Sequence, residues 1–163
     1  MNPLPNVSVA VKADAYLEAA ELIESTAITK DQTAGGWVAY INAALAVEIY
    51  LKSFLAKRLL TKLNTGTSVV TQRTERGHDL FELYQKIDPR MQILMLSASN
   101  EIDPSINLEE LIKTCKDYFF CARYPYEKNS LPILSSDVLN LAHHMKKLVR
   151  KVGETTLPKK IKP

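Results

Sequence analysis

Between Trp37 and Lys62 the apolar residues recur twice over with the ~3.6-residue period of an α-helix. Trp37, Ile41, Ala44, Leu51, Leu55 and Leu59 step by threes and fours along one face, and Tyr40, Ala43, Val47, Tyr50 and Phe54 form a second stripe beside it. A helix that is apolar on two sides has to bury both against neighbours. This segment is therefore predicted to be the central helix of a bundle.

The rest of the chain follows the same period. A first helix is expected from about Val11 to Ala27, with Ala15, Leu17, Ala20, Leu22 and Ile23 inward, and Gly35-Gly36 ends the loop after it. Leu63 to Gly77 is polar, contains Thr65-Gly66-Thr67-Ser68, and reads as a long mobile loop. A third helix opens near His78-Asp79, with Asp79 and Glu82 at capping-box spacing and Leu80, Leu83, Tyr84 and Ile87 as its buried stripe. Asp88-Pro89 breaks or restarts it, and Met91 to Ala98 is a short apolar continuation. A fourth helix follows Asp103-Pro104, is capped by Asn107 with Glu110, and stops by Tyr124 because Pro125 disfavours α geometry there. A fifth is capped by Ser135, Ser136 or Asp137, keeps Val138, Leu141, Met145, Leu148 and Val152 on one side, and has Gly153 in the C′ position. No stretch alternates as a strand does, so no β-sheet is expected. The predicted fold class is all-α, a compact up-and-down bundle of about five helices, with residues 1–155 forming one domain and 156–163 a basic flexible tail.

Composition agrees with a globular chain. Of the 163 residues 46% are hydrophobic and 24% charged, enough for one domain with a core that needs neither disulfides nor metals. The two cysteines, Cys115 and Cys121, are poorly spaced for a disulfide on one helix and form no CxxC pair. They read as buried or half-buried thiols in a reducing cytosol. No segment approaches the ~18 apolar residues of a membrane span, and the start, with Pro3 and Pro5, is no secretory signal. Both observations point to the cytoplasm. From Lys146 onward seven basic residues face one acid, Glu154, giving +6; the net charge of +3 then leaves −3 for residues 1–145. A basic end can attract phosphates, or it can simply solvate a helix terminus.

The residue that breaks the pattern is Glu48. It projects into the middle of the most apolar face of the central helix, and Lys52 lies one turn further on. A carboxylate in that position is costly unless paired. Either Glu48 and Lys52 build a polar site with a basic group from another helix, or they form a structural i,i+4 pair at the edge of the core. Arg123-Tyr124-Pro125-Tyr126-Glu127 offers a stacking and hydrogen-bonding surface, or a helix end closed by a rigid turn. His78 stands at a helix start, where a phosphate can also bind, although a lone histidine there also serves as a capping or packing residue. His143 and His144 are adjacent, so His143 points away from the fifth-helix stripe and the two cannot share one metal. No HExxH, i,i+4 histidine pair, P-loop, GxGxxG or GxSxG is present, and neither metal nor cofactor is expected.

Three signatures in order carry a resemblance. Asn42-Ala43-Ala44-Leu45-Ala46-Val47-Glu48-Ile49-Tyr50-Leu51-Lys52, then Gly77-His78-Asp79-Leu80, then Ala122-Arg123-Tyr124-Pro125-Tyr126-Glu127 resemble the HEPN (higher eukaryotes and prokaryotes nucleotide-binding) family. The resemblance implies a helical bundle, commonly a homodimer, found in bacterial defence and toxin–antitoxin systems and beside nucleotidyltransferases. It also implies that active members are metal-independent endoribonucleases using an Arg followed after four to six residues by a His. This chain departs from that motif. No histidine follows Arg123, and no arginine precedes His143 or His144, at such a spacing; Arg73 and His78 have it but lie before the third helix.

Three readings follow. The first is a nucleotide- or RNA-binding or accessory domain whose site is drawn from Glu48, Lys52, His78, Asp79, Arg123, Tyr124, Tyr126 and Glu127. The second is a ribonuclease in which Arg73 or Arg123 stabilises phosphorane charge and His78 moves the proton. The third is a non-catalytic interaction subunit. The expected partners are a second copy, RNA or a nucleotide, and an antitoxin or nucleotidyltransferase, with no membrane.

Overall fold

A computed structural model describes residues 4–29, 33–123 and 135–156; for residues 27–29, 33–35, 58, 61, 72, 122, 123, 155 and 156 it describes the backbone alone. Within these, the order is α1 (Val7–Thr29), α2 (Thr33–Leu55), β1 (Lys57–Lys62), β2 (Ser68–Arg73), α3 (Leu80–Gln85), α4 (Pro89–Ile102), α5 (Leu108–Thr114), α6 (Tyr118–Arg123) and α7 (Asp137–Thr156). Helix accounts for 71% of the described residues, far above the ~30–35% usual for globular proteins. The all-α bundle is therefore the architecture, with one small sheet that the sequence reading did not expect.

α2 is the central helix. It packs on α1, α3, α6 and α7, and its second half buries Ala43, Ala44, Ala46, Val47, Tyr50, Leu51 and Phe54. Gly36–Leu55 is in fact long and apolar enough to cross a membrane by length and composition (mean hydropathy 1.4), contrary to the expectation that no segment comes near it. Here 56% of that stretch is buried inside the bundle, which accounts for its apolar character. α1, started by Asn6 accepting from the Ser8 N–H at 3.1 Å, brings small side chains to the core at Ala10, Ala13 and Ala20. α7 adds the predicted stripe of Val138, Leu141, Met145, Leu148 and Val152, all buried. Gly153 lies inside α7 rather than beyond its end.

Two corrections concern the middle of the chain. The central helix does not run to Lys62; it ends at Leu55, and an antiparallel hairpin follows in the register Lys57↔Arg73, Leu59↔Thr71, Leu60↔Val70 and Lys62↔Ser68. Leu59 continues the helical stripe on paper, yet it is 42% exposed. The hairpin is closed by Gly66 at φ +81°, with Leu63 N–H donating to Thr67 O at 2.8 Å and Gly66 N–H to Leu63 O at 2.9 Å. The supposed loop after Leu63 is thus half strand, with Val69, Val70 and Thr71 supplying β-branched pairs.

The second correction is a break in the expected fourth helix. α5 stops at Thr114 and α6 starts at Tyr118. The break frees the Lys116 carbonyl, which accepts from the Leu80 N–H at 3.3 Å, one of the donors that the first turn of α3 cannot satisfy internally. Asp79 caps that turn by accepting from Glu82 N–H at 2.9 Å. Asn107 likewise accepts from Glu110 N–H at 3.2 Å, and Asp88 accepts from Arg90 N–H at 2.9 Å, starting α4 at Pro89 as a full helix rather than a short continuation. These contacts fix the start of α3 against the α5–α6 junction, and that placement sets the geometry of His78.

Candidate functional site

Glu48 is 5% exposed, on the inner side of α2. A single carboxylate left unpaired there would cost several kcal/mol. Each of its oxygens has one cationic or potentially cationic partner. Oε1 accepts from Lys52 Nζ at 2.7 Å, one turn along the same helix, and Oε2 lies 3.0 Å from His78 Nδ1, brought in from the segment just before α3. Facing a carboxylate, which can only accept, Nδ1 is the ring nitrogen that carries a proton toward Oε2. Nε2 then has no partner among the described residues, and the His78 side chain keeps 45% of its exposure.

The imidazole is also held by aromatic rings. It stacks on Phe119 with centroids 4.9 Å apart and planes 21° from parallel, and meets Phe120 edge-on at 5.5 Å and 83°. Both phenylalanines stand on α6, which packs directly on α2. Glu48, Lys52, His78 and the α6 aromatics therefore form one centre. Its carboxylate lies underneath, while the imidazole, the 15%-exposed Lys52 side chain and Phe120, 52% exposed, reach outward. Glu48 is itself almost fully covered and holds both Lys52 and His78.

The other sequence candidates fall as follows. Asp79 is committed to capping α3. Arg73 closes β2 opposite Lys57. Arg123 ends α6, close along the chain to Phe119 and Phe120, but its side chain is outside the described residues, as are Tyr124, Tyr126 and Glu127 altogether. Phe119 and Phe120, which no spacing in the sequence marks as site residues, join the centre through packing. Among the described residues no group of three or more His, Cys, Asp or Glu is placed to hold a metal ion.

A second polar pair is buried away from this centre. Ser99 Oγ on α4 lies 2.7 Å from His144 Nε2 on α7, with the two residues 1% and 4% exposed. Burial pushes the His144 imidazole below the ordinary histidine range; Asp103 opposes this shift and Lys147 adds to it. His143, its neighbour, points outward as expected and meets Glu21 Oε1 at 3.3 Å. Tyr50 donates to Asp14 Oδ1 at 2.5 Å, and Arg150 reaches Asp14 Oδ2 at 3.5 Å, tying α1, α2 and α7 together. Cys115 and Cys121 are both free thiols, the first buried and the second half-buried. No family model, no curated protein and no solved structure matches the chain.

Proposed function

We propose that this chain is a HEPN-like nucleotide- or RNA-binding or accessory domain that works as a two-fold dimer, in a bacterial defence or toxin–antitoxin setting. The observation that carries the reading is the double pairing of Glu48 with Lys52 and His78. It brings the first two of the three resemblance signatures into contact, and Phe119 and Phe120 bring in the helix that leads to the third. A half-exposed imidazole with one nitrogen unpartnered, beside an ammonium and two aromatic rings, can offer a phosphate or a base hydrogen bonds, charge and a stacking edge. Exposed Ile93, Leu94 and Leu96 on α4 offer an apolar face for the second copy. An antitoxin or nucleotidyltransferase is the partner class in keeping with the resemblance, and free thiols fit the cytoplasm.

A second reading, metal-independent endoribonuclease, is favoured by one specific feature. Glu48 fixes the Nδ1–H tautomer and orientation of His78, leaving Nε2 for proton transfer, as a carboxylate does for a catalytic histidine. In that reading the 2′-hydroxyl attacks the adjacent phosphorus, the 5′-oxygen leaves, and an arginine, Arg73 or Arg123, stabilises the phosphorane charge. Incubating the protein with single-stranded RNA in EDTA separates the readings. Binding without cleavage supports the first, cleavage lost in His78→Ala supports the second, and neither leaves a non-catalytic interaction subunit.

A further inference from the structure

The base of the hairpin carries a cluster of positive charge that the Glu48 centre does not use. Lys57 and Arg73 are register partners at the open end of β1 and β2. Like charges directly opposite on paired strands repel. The segment from Lys57 to Arg73 contains four basic residues and no acid to offset them. Arg73 then faces Arg76 and Lys86 across a groove of about 500 Å3 that Thr74 and Glu75 complete. A neighbouring groove of about 540 Å3 shares Glu75 and Lys86 and adds Lys57.

No ion pair or side-chain hydrogen bond among the described residues engages Lys57, Arg73, Arg76 or Lys86, although all four are exposed. The acids nearby offset this charge only in part. Asp88 is spent capping α4, and Glu75 lines both grooves without pairing with any of the four cations. Three cations with no partner among the described residues converge on one concavity, and the strand register sets Lys57 against one of them, which suits the groove to an anion. Its volume falls in the ~300–1,000 Å3 range of small-ligand pockets. Two guanidinium forks and an ammonium suit an anion with many oxygens and more than one negative charge better than a lone carboxylate.

We propose that this groove is a phosphate site, with Arg73, Arg76 and Lys86 as its ligands, that takes a pyrophosphate-like group. The group can come from a free nucleoside triphosphate or from the 5′-triphosphate end of an RNA. The site stands on the hairpin and α3 alone, and does not depend on the reading given to His78. Glu75 opposes binding and sets its selectivity for highly charged ligands.

The test is calorimetric titration of the full chain with pyrophosphate, ATP and a 5′-triphosphorylated oligouridine, in low and moderate salt. Pyrophosphate should bind at one site per chain, Arg73→Ala/Arg76→Ala should weaken it by roughly tenfold or more, and Glu75→Gln should tighten it. Because both arginines are exposed and one repels Lys57, the double variant should melt no lower than the parent, so lost binding cannot be lost fold. ATP binding more tightly than the oligouridine marks a nucleotide as the source, and the reverse order marks RNA. Absence of pyrophosphate binding up to ~10 mM, well beyond a useful affinity, overturns the proposal. So does a double variant that binds as the parent does, or binding that survives the double variant but is lost in His78→Ala, which would move the phosphate to the Glu48 centre.

Discussion

Glu48 Oε2 on α2 and His78 Nδ1 before α3 lie 3.0 Å apart across 30 residues of chain. The pair joins the middle of the central helix to the one segment held by both the α3 cap and the α5–α6 break. Because Glu48 is covered and His78 is half open, the two residues have different jobs, and replacing each should have different consequences.

Glu48→Gln keeps the shape but removes the charge that Lys52 and His78 both face. We expect a loss of about 1–4 kcal/mol in unfolding free energy, the usual scale for breaking a buried charged pair, measured by urea denaturation. His78→Ala removes a side chain that is 45% exposed and should cost less. A Glu48→Gln protein as stable as the parent would mean that Lys52 and His78 do not lean on the carboxylate.

The buried Ser99–His144 pair predicts a pH effect. Burial holds the folded His144 below its ordinary range, so the unfolded chain takes up a proton first as pH falls through about 6.5. Stability contributed by the neutral ring is complete above that point and is lost as pH drops from there toward the folded value. Denaturant midpoints should therefore fall between pH 7.5 and 5.5, and the fall should be smaller in His144→Gln. Equal slopes in the two proteins would show that His144 does not drive the effect.

The thiols should be slow to react. Burial pushes Cys115 up to about 12, with Asp137 adding to the shift, and Cys121 is also raised, chiefly by burial. The thiolate is the nucleophile, so iodoacetamide at pH 7.5 should label Cys121 slowly and Cys115 only after unfolding, as followed by intact mass. Rapid labelling of Cys115 in the folded protein would contradict its position in the core.

The hairpin should be dispensable for folding. Its strands pack chiefly on each other, and Leu60 and Val70, opposite one another, are 70% and 58% exposed. Replacing residues 57–73 with a short Gly/Ser linker should change stability by no more than about 1 kcal/mol, in line with the weak length dependence of loop closure. A linker variant that fails to fold would show that the hairpin supports the bundle.

How far the sequence could be read follows from the range of the interactions involved. The central helix and the Glu48–Lys52 pair are local: a 3.6-residue period and an i,i+4 spacing are written in consecutive residues, and a carboxylate inside an apolar stripe announces its need for a partner. The same holds for the Asp79 and Asn107 caps. His78 as the second partner is set by a distant packing arrangement, and consecutive residues say only that Glu48 needs a second cation. The α5–α6 break depends on a tertiary bond, Lys116 O with Leu80 N–H, invisible in a helical pattern that runs on through Cys115 and Phe119. The hairpin was missed for a different reason. Leu59 fits both a helix and a strand over so short a run, and the deciding signal was the pair of runs 59–61 and 69–71 around the Asn64–Gly66 turn.

The central claim is that the imidazole and ammonium held over Glu48 bind a phosphate-bearing ligand. Its most direct test follows the His78 side-chain resonances by NMR while the full chain is titrated with a single-stranded oligouridine and, separately, with ATP. The account predicts that one of these shifts the His78 signals in a saturable way, and that His78→Ala weakens that ligand by roughly tenfold or more, about 1.4 kcal/mol. His78 signals unmoved by both ligands at saturating concentrations, with His78→Ala binding as the parent does, would contradict it.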